Sequence, residues 1–490
     1  MDPWSRTDGT DEDTTTRTAD PSPPVPVRAD RPGLAAPDTE ATVPPPRPLI
    51  TELRLSAFKS HRGATYPLGP LTLFAGPSGS GKSSALQAYG LLVRLGAGDP
   101  LDRALGAVPG GAAACVPDRA APDEQGRRGF RIGCTVDGPA GPVRLDVAVQ
   151  TEPELRFAGE RLTGSGRTLF TTALTDPGRR TVQAAWHTAG PVPVTRAPLP
   201  DDRLGTALLP LRVAGTTAGQ RLVLAAAEQT LIALRSSFPC DPRPEAVRAC
   251  TRGVGRTGRT GAGAGAGAAA AASPGSNAEA GSGGASGPAG RPPQQQHAEA
   301  ARLRPDCGNL AAVLERTSRE CATRHAALVD AVRAGCSGPV TDVRADVRTG
   351  VRTDVGTDTG VRHDEVQRDE VRRGDAAAVR AVLERGGGLG AMPVDRLGDG
   401  ELRYLALALV LLTGPGVLAV DPVAEVLPAR QVLTVVADGL DRCLDRRQSA
   451  ALFELAVRMA ARGHVRLLGT VTDASAAARL PGIKVLHLGA

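Results

Sequence analysis

The segment Gly76-Pro77-Ser78-Gly79-Ser80-Gly81-Lys82-Ser83-Ser84 constrains this chain more than any other. It matches G-x-x-x-x-G-K-[ST] and lies between a short apolar run, Leu71 to Ala75, and a stretch of helical spacing, SALQAYGLLVRLG. A strand, a glycine-rich turn and a helix in that order form a phosphate cradle. Glycines let the backbone bend so that successive N–H groups and the helix N-terminus point at anionic oxygens. In that geometry Lys82 reaches the β- and γ-phosphates of a nucleoside triphosphate and the Ser83 hydroxyl ligates Mg²⁺. The expected ligands are ATP and Mg²⁺. A chance Gly/Ser turn is the competing reading in a chain with 59 glycines, and the flanking strand and helix count against it.

Composition sharpens the point about Lys82. Lysine occurs only at positions 59, 82 and 484 among 58 basic residues, so the formal charge of +6 reflects a chain-wide arginine preference and says little about nucleic acid. A chain that uses arginine almost everywhere still keeps lysine where a flexible ammonium is needed. Aromatics are 2% of the sequence, with 59 Gly and 41 Pro, so the core must be built from Leu, Val and Ala and the ordered part is smaller than 490 residues suggests. The eight cysteines (115, 134, 240, 250, 307, 321, 336, 443) never form C-x-x-C and none has His at zinc spacing. They read as buried or inert thiols in a reducing cytosol. The N-terminus is polar, and the longest apolar run, Leu405 to Leu412, is too short to span a bilayer. A soluble, cytoplasmic protein with no membrane partner is expected.

Composition shifts divide the chain. Residues 1–47 read as a disordered tail rich in Thr, Asp, Arg and Pro. Residues 48–251 form an N-terminal lobe: a strand (ITELRLSAF), a turn at HRG, the glycine loop and its helix. An antiparallel sheet follows between Phe130 and Phe170, where Val143, Leu145, Val147 and Val149 alternate with other residues. Residues 252–300 are a low-complexity linker, and 301–338 a helical segment with Leu310, Val313, Leu314, Cys321, Leu328 and Val332 on the stripe of one amphipathic helix. Residues 339–375 are a Val/Arg/Asp-rich insertion, read as solvated, and 376–490 a C-terminal lobe of alternating helix and strand patterns.

The run ITELRLSAFKSHRGATYPLGPLTLFAGPSGSGKSSALQA resembles the opening of ABC-type ATPase heads of the SMC, RecF and OLD-like branch, where a strand, an F-K-S turn and a G-P-L-T-L strand precede the Walker A loop. From Leu397, LGDGELRYLAL resembles that branch's signature, L-S-x-G-x-x-R-x-L-A-L, and CGNLAAVL at 307–314 looks like the helix start between the lobes of such heads. The resemblance implies an α/β fold, a P-loop NTPase of ABC type. Its central mixed sheet is flanked by helices, with an antiparallel β subdomain and a long disordered insertion. It also implies that Gly398, Asp399 and Gly400 of one copy close over the γ-phosphate held by the Gly76–Ser84 loop of another, giving an ATP-dependent homodimer.

The resemblance calls for a Walker B acid, and two positions compete. Counting from Leu397 favours Asp421 in VLAVDP. Counting back from the last strands favours Asp438, because Val432 to Ala437, the D-loop-like Leu444-Asp445, a helix to Arg462 and the strand Val465 to Val471 then fall in order. Asp438 is preferred, so Lys82 and Asp438 are the candidate catalytic residues and Ser83 and Asp438 the candidate metal ligands. Three positions depart from the branch: Gly439 (or Pro422) stands where a catalytic Glu follows the Asp, Thr472 and Asp473 where a switch His is expected, and Gly398 where the signature has Ser. Asp441 or Glu425 is a substitute base, or a plain surface carboxylate. Histidines 61, 187, 297, 325, 363, 464 and 487 show no metal or triad spacing and receive no role. Arg47, Arg54, Lys59 and Arg62 are candidate DNA contacts, against a solvated strand face as the plainer reading.

Two functions follow. One is an ATPase of DNA maintenance or defence whose heads pair on ATP; the other is a regulatory ATP-binding switch with little or no hydrolysis, which the missing Glu and His favour. A GTPase is disfavoured because no N-K-x-D occurs, and SMC proper because no sustained heptads form an arm.

Overall fold

The computed structural model describes residues 47–176, 178–189, 193–253, 302–348, 378–414, 417–418, 432–463 and 465–489. The expected tail (1–46), most of the low-complexity linker (254–301), much of the Val/Arg/Asp segment (349–377), Asp421 and Glu425 lie outside the described residues.

Strands β1 (Leu49–Phe58) and β2 (His61–Pro67) pair antiparallel, with Leu55 opposite Ala64. The reversal falls on Lys59 and Ser60, with Lys59 at φ 50°, so the HRG triplet expected to turn is already strand. Strands β4 (Arg128–Asp137), β5 (Val143–Glu152), β6 (Arg156–Gly164), β7 (Arg167–Ala173), β8 (Thr181–His187) and β9 (Val194–Pro200) continue the same sheet in the order β2-β1-β4-β5-β6-β7-β8-β9, every pairing antiparallel. Helix α2 (Leu101–Gly106) precedes β4 in the chain, α3 (Gly205–Arg212) and α4 (Ala218–Arg235) follow β9, and α4 lies across the inner face of this sheet.

The second sheet draws on distant parts of the chain. Its strands are β3 (Leu71–Ala75), β10 (Ser237–Pro239), β14 (Leu433–Ala437), β15 (Val465–Thr470) and β16 (Ile483–His487), in the order β10-β14-β15-β3-β16. All four pairings are parallel. A parallel sheet covered on both faces needs apolar residues on both sides of each strand, which is why LTLFA and VRLLGT are nearly continuous apolar runs. Leu71, Leu73 and Leu467 enter one core with α9 (Arg446–Ala461) and α8 (Asp399–Leu412), while Phe74 and Leu468 enter the other with α1 (Lys82–Ala97) and the antiparallel sheet.

The helical segment differs from expectation. The stripe from Leu310 to Val332 is two helices, α6 (Leu310–Glu320) and α7 (Ala322–Gly335), separated at Cys321, whose φ of −153° is extended. Just before the break, Thr317 bonds its own turn at the Val313 carbonyl and Ser318 does the same at Glu315 O (2.8 Å). Such side-chain competition for backbone carbonyls weakens helix propagation. The start of the supposedly solvated 339–375 stretch is also ordered: β11 (Val340–Arg348) pairs with β12 (Ala378–Arg385), which pairs with β13 (Gly390–Pro393). Val340 and Val343 are buried there beneath α6. The thiols divide as well, since Cys250 and Cys443 are exposed whereas burial pushes Cys134 and Cys336 up to about 12.

Glu160 on β6 is 1% exposed and accepts hydrogen bonds from the amides of Gly205 (2.7 Å) and Thr206 (2.8 Å) and from the Thr206 hydroxyl, at the first turn of α3. Burial pushes its carboxyl up from 4.5 to about 7, against the opposing pull of those donors. A folded value above the unfolded one means the native state holds the proton more tightly, so this contribution is full below pH 4.5 and is lost as pH rises through about 7. Melting temperature measured between these limits should fall with rising pH more steeply in the wild type than in Glu160→Gln.

Candidate nucleotide site

The glycine loop leaves β3 and enters α1 with Gly76, Gly79 and Gly81 at φ of 141°, 82° and 94°. Two of these positions admit no side chain on other grounds. A Cβ on Gly76 would lie 2.3 Å from the Leu488 carbonyl oxygen, and one on Gly81 would lie 2.7 Å from His61 Nε2. The loop is thus pinned between the last strand and the β1–β2 hairpin. The Lys82 ammonium folds back over it, donating to the carbonyls of Gly76 (2.6 Å) and Pro77 (2.9 Å). Ser80 Oγ is buried in the loop without a hydrogen-bond partner. Glycine torsions, an inward lysine, a helix N-terminus with no acidic residue in its first turn and an unsatisfied hydroxyl together fit a phosphate-bearing ligand.

Opposite the loop, Asp438 directly follows the last residue of β14, Ala437. Ser83 Oγ donates to Asp438 Oδ1 at 3.1 Å, across a sequence separation of 355 residues. A hydroxyl has one proton, so giving it to Asp438 leaves the Ser83 lone pairs available to a cation. The pair matches the hard, oxygen-only ligand set that Mg²⁺ takes. Gly439 adopts φ 62°, and a Cβ there would come within 3.1 Å of Arg442 Nε. The left-handed torsion favours glycine at the position after the acid. Asp441 Oδ2 accepts the amides of Thr472 (2.7 Å) and Asp473 (2.8 Å), so this carboxylate ties the β14 turn to the segment after β15. Asp445 likewise caps α9, accepting the Gln448 amide at 2.7 Å, a contact that typically contributes ~1 kcal/mol.

Gly398, Asp399 and Gly400 form the N-terminal end of α8. Asp399 pairs with Arg248 at 2.7 Å, and a Cβ on Gly400 would meet the Cys443 carbonyl at 2.3 Å. These contacts run to α5 (Pro244–Gly253) and to the turn before α9. Of the basic residues near β1, Arg54 is the clearest departure from a solvated strand face: it is 5% exposed, bonded to Asp146 at 2.9 Å, Glu52 at 2.6 Å and the carbonyls of Cys134 and Leu145. Lys59 reaches Gln87 (2.6 Å) and Arg62 the Asp118 carbonyl.

Sequence spacing gave no role to His61, yet its ring supports the loop. Nε2 lies 3.0 Å from the Gly81 carbonyl and Nδ1 2.9 Å from the Tyr66 hydroxyl. A carbonyl only accepts, so Nε2 carries the proton and Nδ1 accepts from Tyr66. Burial lowers the His61 value, opposed by the Gly81 carbonyl. Its place directly after the F-K-S turn is the only sequence signal, and the contact depends on tertiary placement.

No family profile matches the chain, and no curated protein matches it in sequence. Among solved structures it is similar, at 10% identity, to an SMC head bound to the C-winged helix domain of ScpA, covering 88% of this chain and 92% of that one at a TM-score of 0.37. An SMC head domain with an extended coiled coil, bound to the C-terminal domain of ScpA derived from Pyrococcus furiosus, overlaps at 10% identity, 88% and 91% coverage and a TM-score of 0.38. The SMC head domain from Thermotoga maritima overlaps at 10% identity, 87% and 89% coverage and a TM-score of 0.34. No described helix is long and apolar enough to cross a membrane.

Gly81→Ala should destabilise the protein by ~1–3 kcal/mol, since it forces a left-handed residue against the imidazole. In a double-mutant cycle read by denaturant unfolding, its penalty should shrink on a His61→Ala background, where the steric part is removed and the torsional part stays.

Proposed function

We propose that this chain binds ATP with Mg²⁺ at the Gly76–Ser84 loop and acts as an ABC-type head that pairs with a second copy when the nucleotide is bound. The observation that carries the reading is the hydrogen bond between Ser83 and Asp438, which joins the loop's hydroxyl to an acid 355 residues away at the end of a strand in the same parallel sheet. Chance glycine turns do not come with an acid partner at the position where a metal ligand is needed. Gly76 and Ser78 to Gly81 contribute backbone amides beside Pro77, Lys82 contributes a charge toward the β- and γ-phosphates, and Ser83 with Asp438 holds the ion. Bound Mg²⁺ would neutralise phosphate charge. The pairing of copies rests on Leu397 to Leu407 resembling a signature segment, with Gly398 to Gly400 at the start of α8 facing a partner's γ-phosphate. A role in DNA maintenance or defence, in the cytoplasm, follows from that resemblance; Arg54, buried among acids, is not available for DNA contact.

A second reading has its own support: binding with little or no hydrolysis. Gly439 occupies the place of the water-orienting carboxylate in a backbone conformation that suits glycine, and Asp441 is engaged with the Thr472 and Asp473 amides. The chain then acts as a switch set by nucleotide occupancy.

Lys82→Ala should abolish saturable binding of labelled ATP while leaving the melting temperature of the ligand-free protein within a few degrees. Saturable binding that is the same in wild type and Lys82→Ala sinks the proposal. Phosphate release no faster in wild type than in Lys82→Ala selects the switch reading. Mass in solution should double on adding ATP and Mg²⁺ to the wild type, and an unchanged mass rejects nucleotide-driven pairing.

A further inference from the structure

A line of hydrogen bonds behind Asp438 has no part in the assignments above. Strand β15 runs between β3 and β14, and its last residue, Thr470, is 3% exposed. Thr470 Oγ1 lies 2.7 Å from the Gly439 amide nitrogen and 2.5 Å from Asp438 Oδ1. The amide can only donate, so the hydroxyl accepts from Gly439 and passes its single proton to the carboxylate. Ser83 reaches the same Oδ1, so both hydroxyl bonds end on one oxygen. On the far side, the Gly439 carbonyl accepts from Arg403 Nη2 at 3.1 Å. Arg403 stands on α8, is 3% exposed, places Nη1 2.5 Å from the Pro242 carbonyl and lies 3.6 Å from Asp241.

We propose that Thr470 is a positioning residue for the Mg²⁺ site, fixing Asp438 through a hydroxyl polarised by the Gly439 amide, and that Arg403 anchors the other end of this relay. The inference rests on the ATP and Mg²⁺ reading above. An aspartate rotates about two side-chain bonds and must be ordered before it can serve a cation that demands strict octahedral geometry. Two donors on Oδ1 set that orientation in advance. Partners of this kind, which hold a ligand without touching the metal, typically contribute 10–100-fold to metal affinity. Threonine suits the position because its hydroxyl must accept and donate along one line, which valine of the same shape cannot do. The relay also runs from α8, the helix that begins with Gly398 to Gly400, through Arg403, Gly439, Thr470 and Asp438 to Ser83. Movement at the start of α8 thereby has a route to the metal ligands through bonds that each have a defined donor.

The test uses the full chain and a fluorescent ATP analogue, with Mg²⁺ titrated from EDTA-treated protein. Thr470→Val should raise the Mg²⁺ concentration for half-maximal binding by roughly tenfold or more, leave binding in EDTA unchanged, and be reversed by Thr470→Ser. A purely structural role would weaken binding equally with and without Mg²⁺ or lower the melting temperature alone. A folded Thr470→Val protein with the wild-type Mg²⁺ midpoint overturns the proposal. Arg403→Lys, which loosens Gly439 and keeps Thr470, should move the midpoint the same way by a smaller factor; if the valine variant does not fold, an unmoved midpoint here overturns the proposal in its place. Failure of the wild type to bind the analogue in either condition overturns the nucleotide reading itself, and the relay with it.

Discussion

One carboxylate oxygen receiving two hydroxyl protons is what the rest of this site depends on. Asp438 Oδ1 is shared by Ser83, which follows β3 through the glycine loop, and by Thr470, which ends β15. Because β3, β14 and β15 are parallel, their carboxyl ends lie on one side of the sheet, where parallel α/β sheets gather their ligands. The sheet order supplies the convergence; the three side chains turn it into a binding geometry. Support comes from below as well, since Arg466 on β15 is buried and donates to the carbonyls of Ile50 (2.5 Å), Leu68 (3.0 Å) and Gly69 (2.8 Å), linking the central strand to the antiparallel sheet.

The features legible in the sequence are those encoded over short stretches. The glycine loop, α1, the apolar runs of β14 and β15 and the alternation in β5 all announce themselves within about a dozen residues, the range over which periodicity speaks. What could not be read depends on pairing between distant segments. The antiparallel sheet gains β1 and β2 at one edge and β8 and β9 at the other through partners the local pattern does not specify. The Leu310 to Val332 stripe keeps helical periodicity through Cys321 even though the helix breaks there, just after Thr317 and Ser318 donate to the Val313 and Glu315 carbonyls. Arg54 looks like a solvated strand residue until β4 and β5 bring it carbonyls and acids. His61 and Thr470 lack any spacing signal, because each acts on a residue brought near only by the fold.

The departures at the hydrolytic positions acquire physical content from Gly439. Its left-handed backbone frees the amide to point at Thr470 and the carbonyl at Arg403, so this residue serves the site through its main chain. The relay thus runs through main-chain atoms of a residue that carries no carboxylate.

The strand order of the parallel sheet has a bearing on how the protein is made. On a ribosome, β3 and its glycine loop emerge well before β15 and β16, the two strands that flank β3. Until translation passes Thr470, the loop has its full spelling and no acid or hydroxyl beside it. Fragments that stop before β15 therefore keep the loop's residues and lack the strand that lies between β3 and β14, however well their first sheet forms.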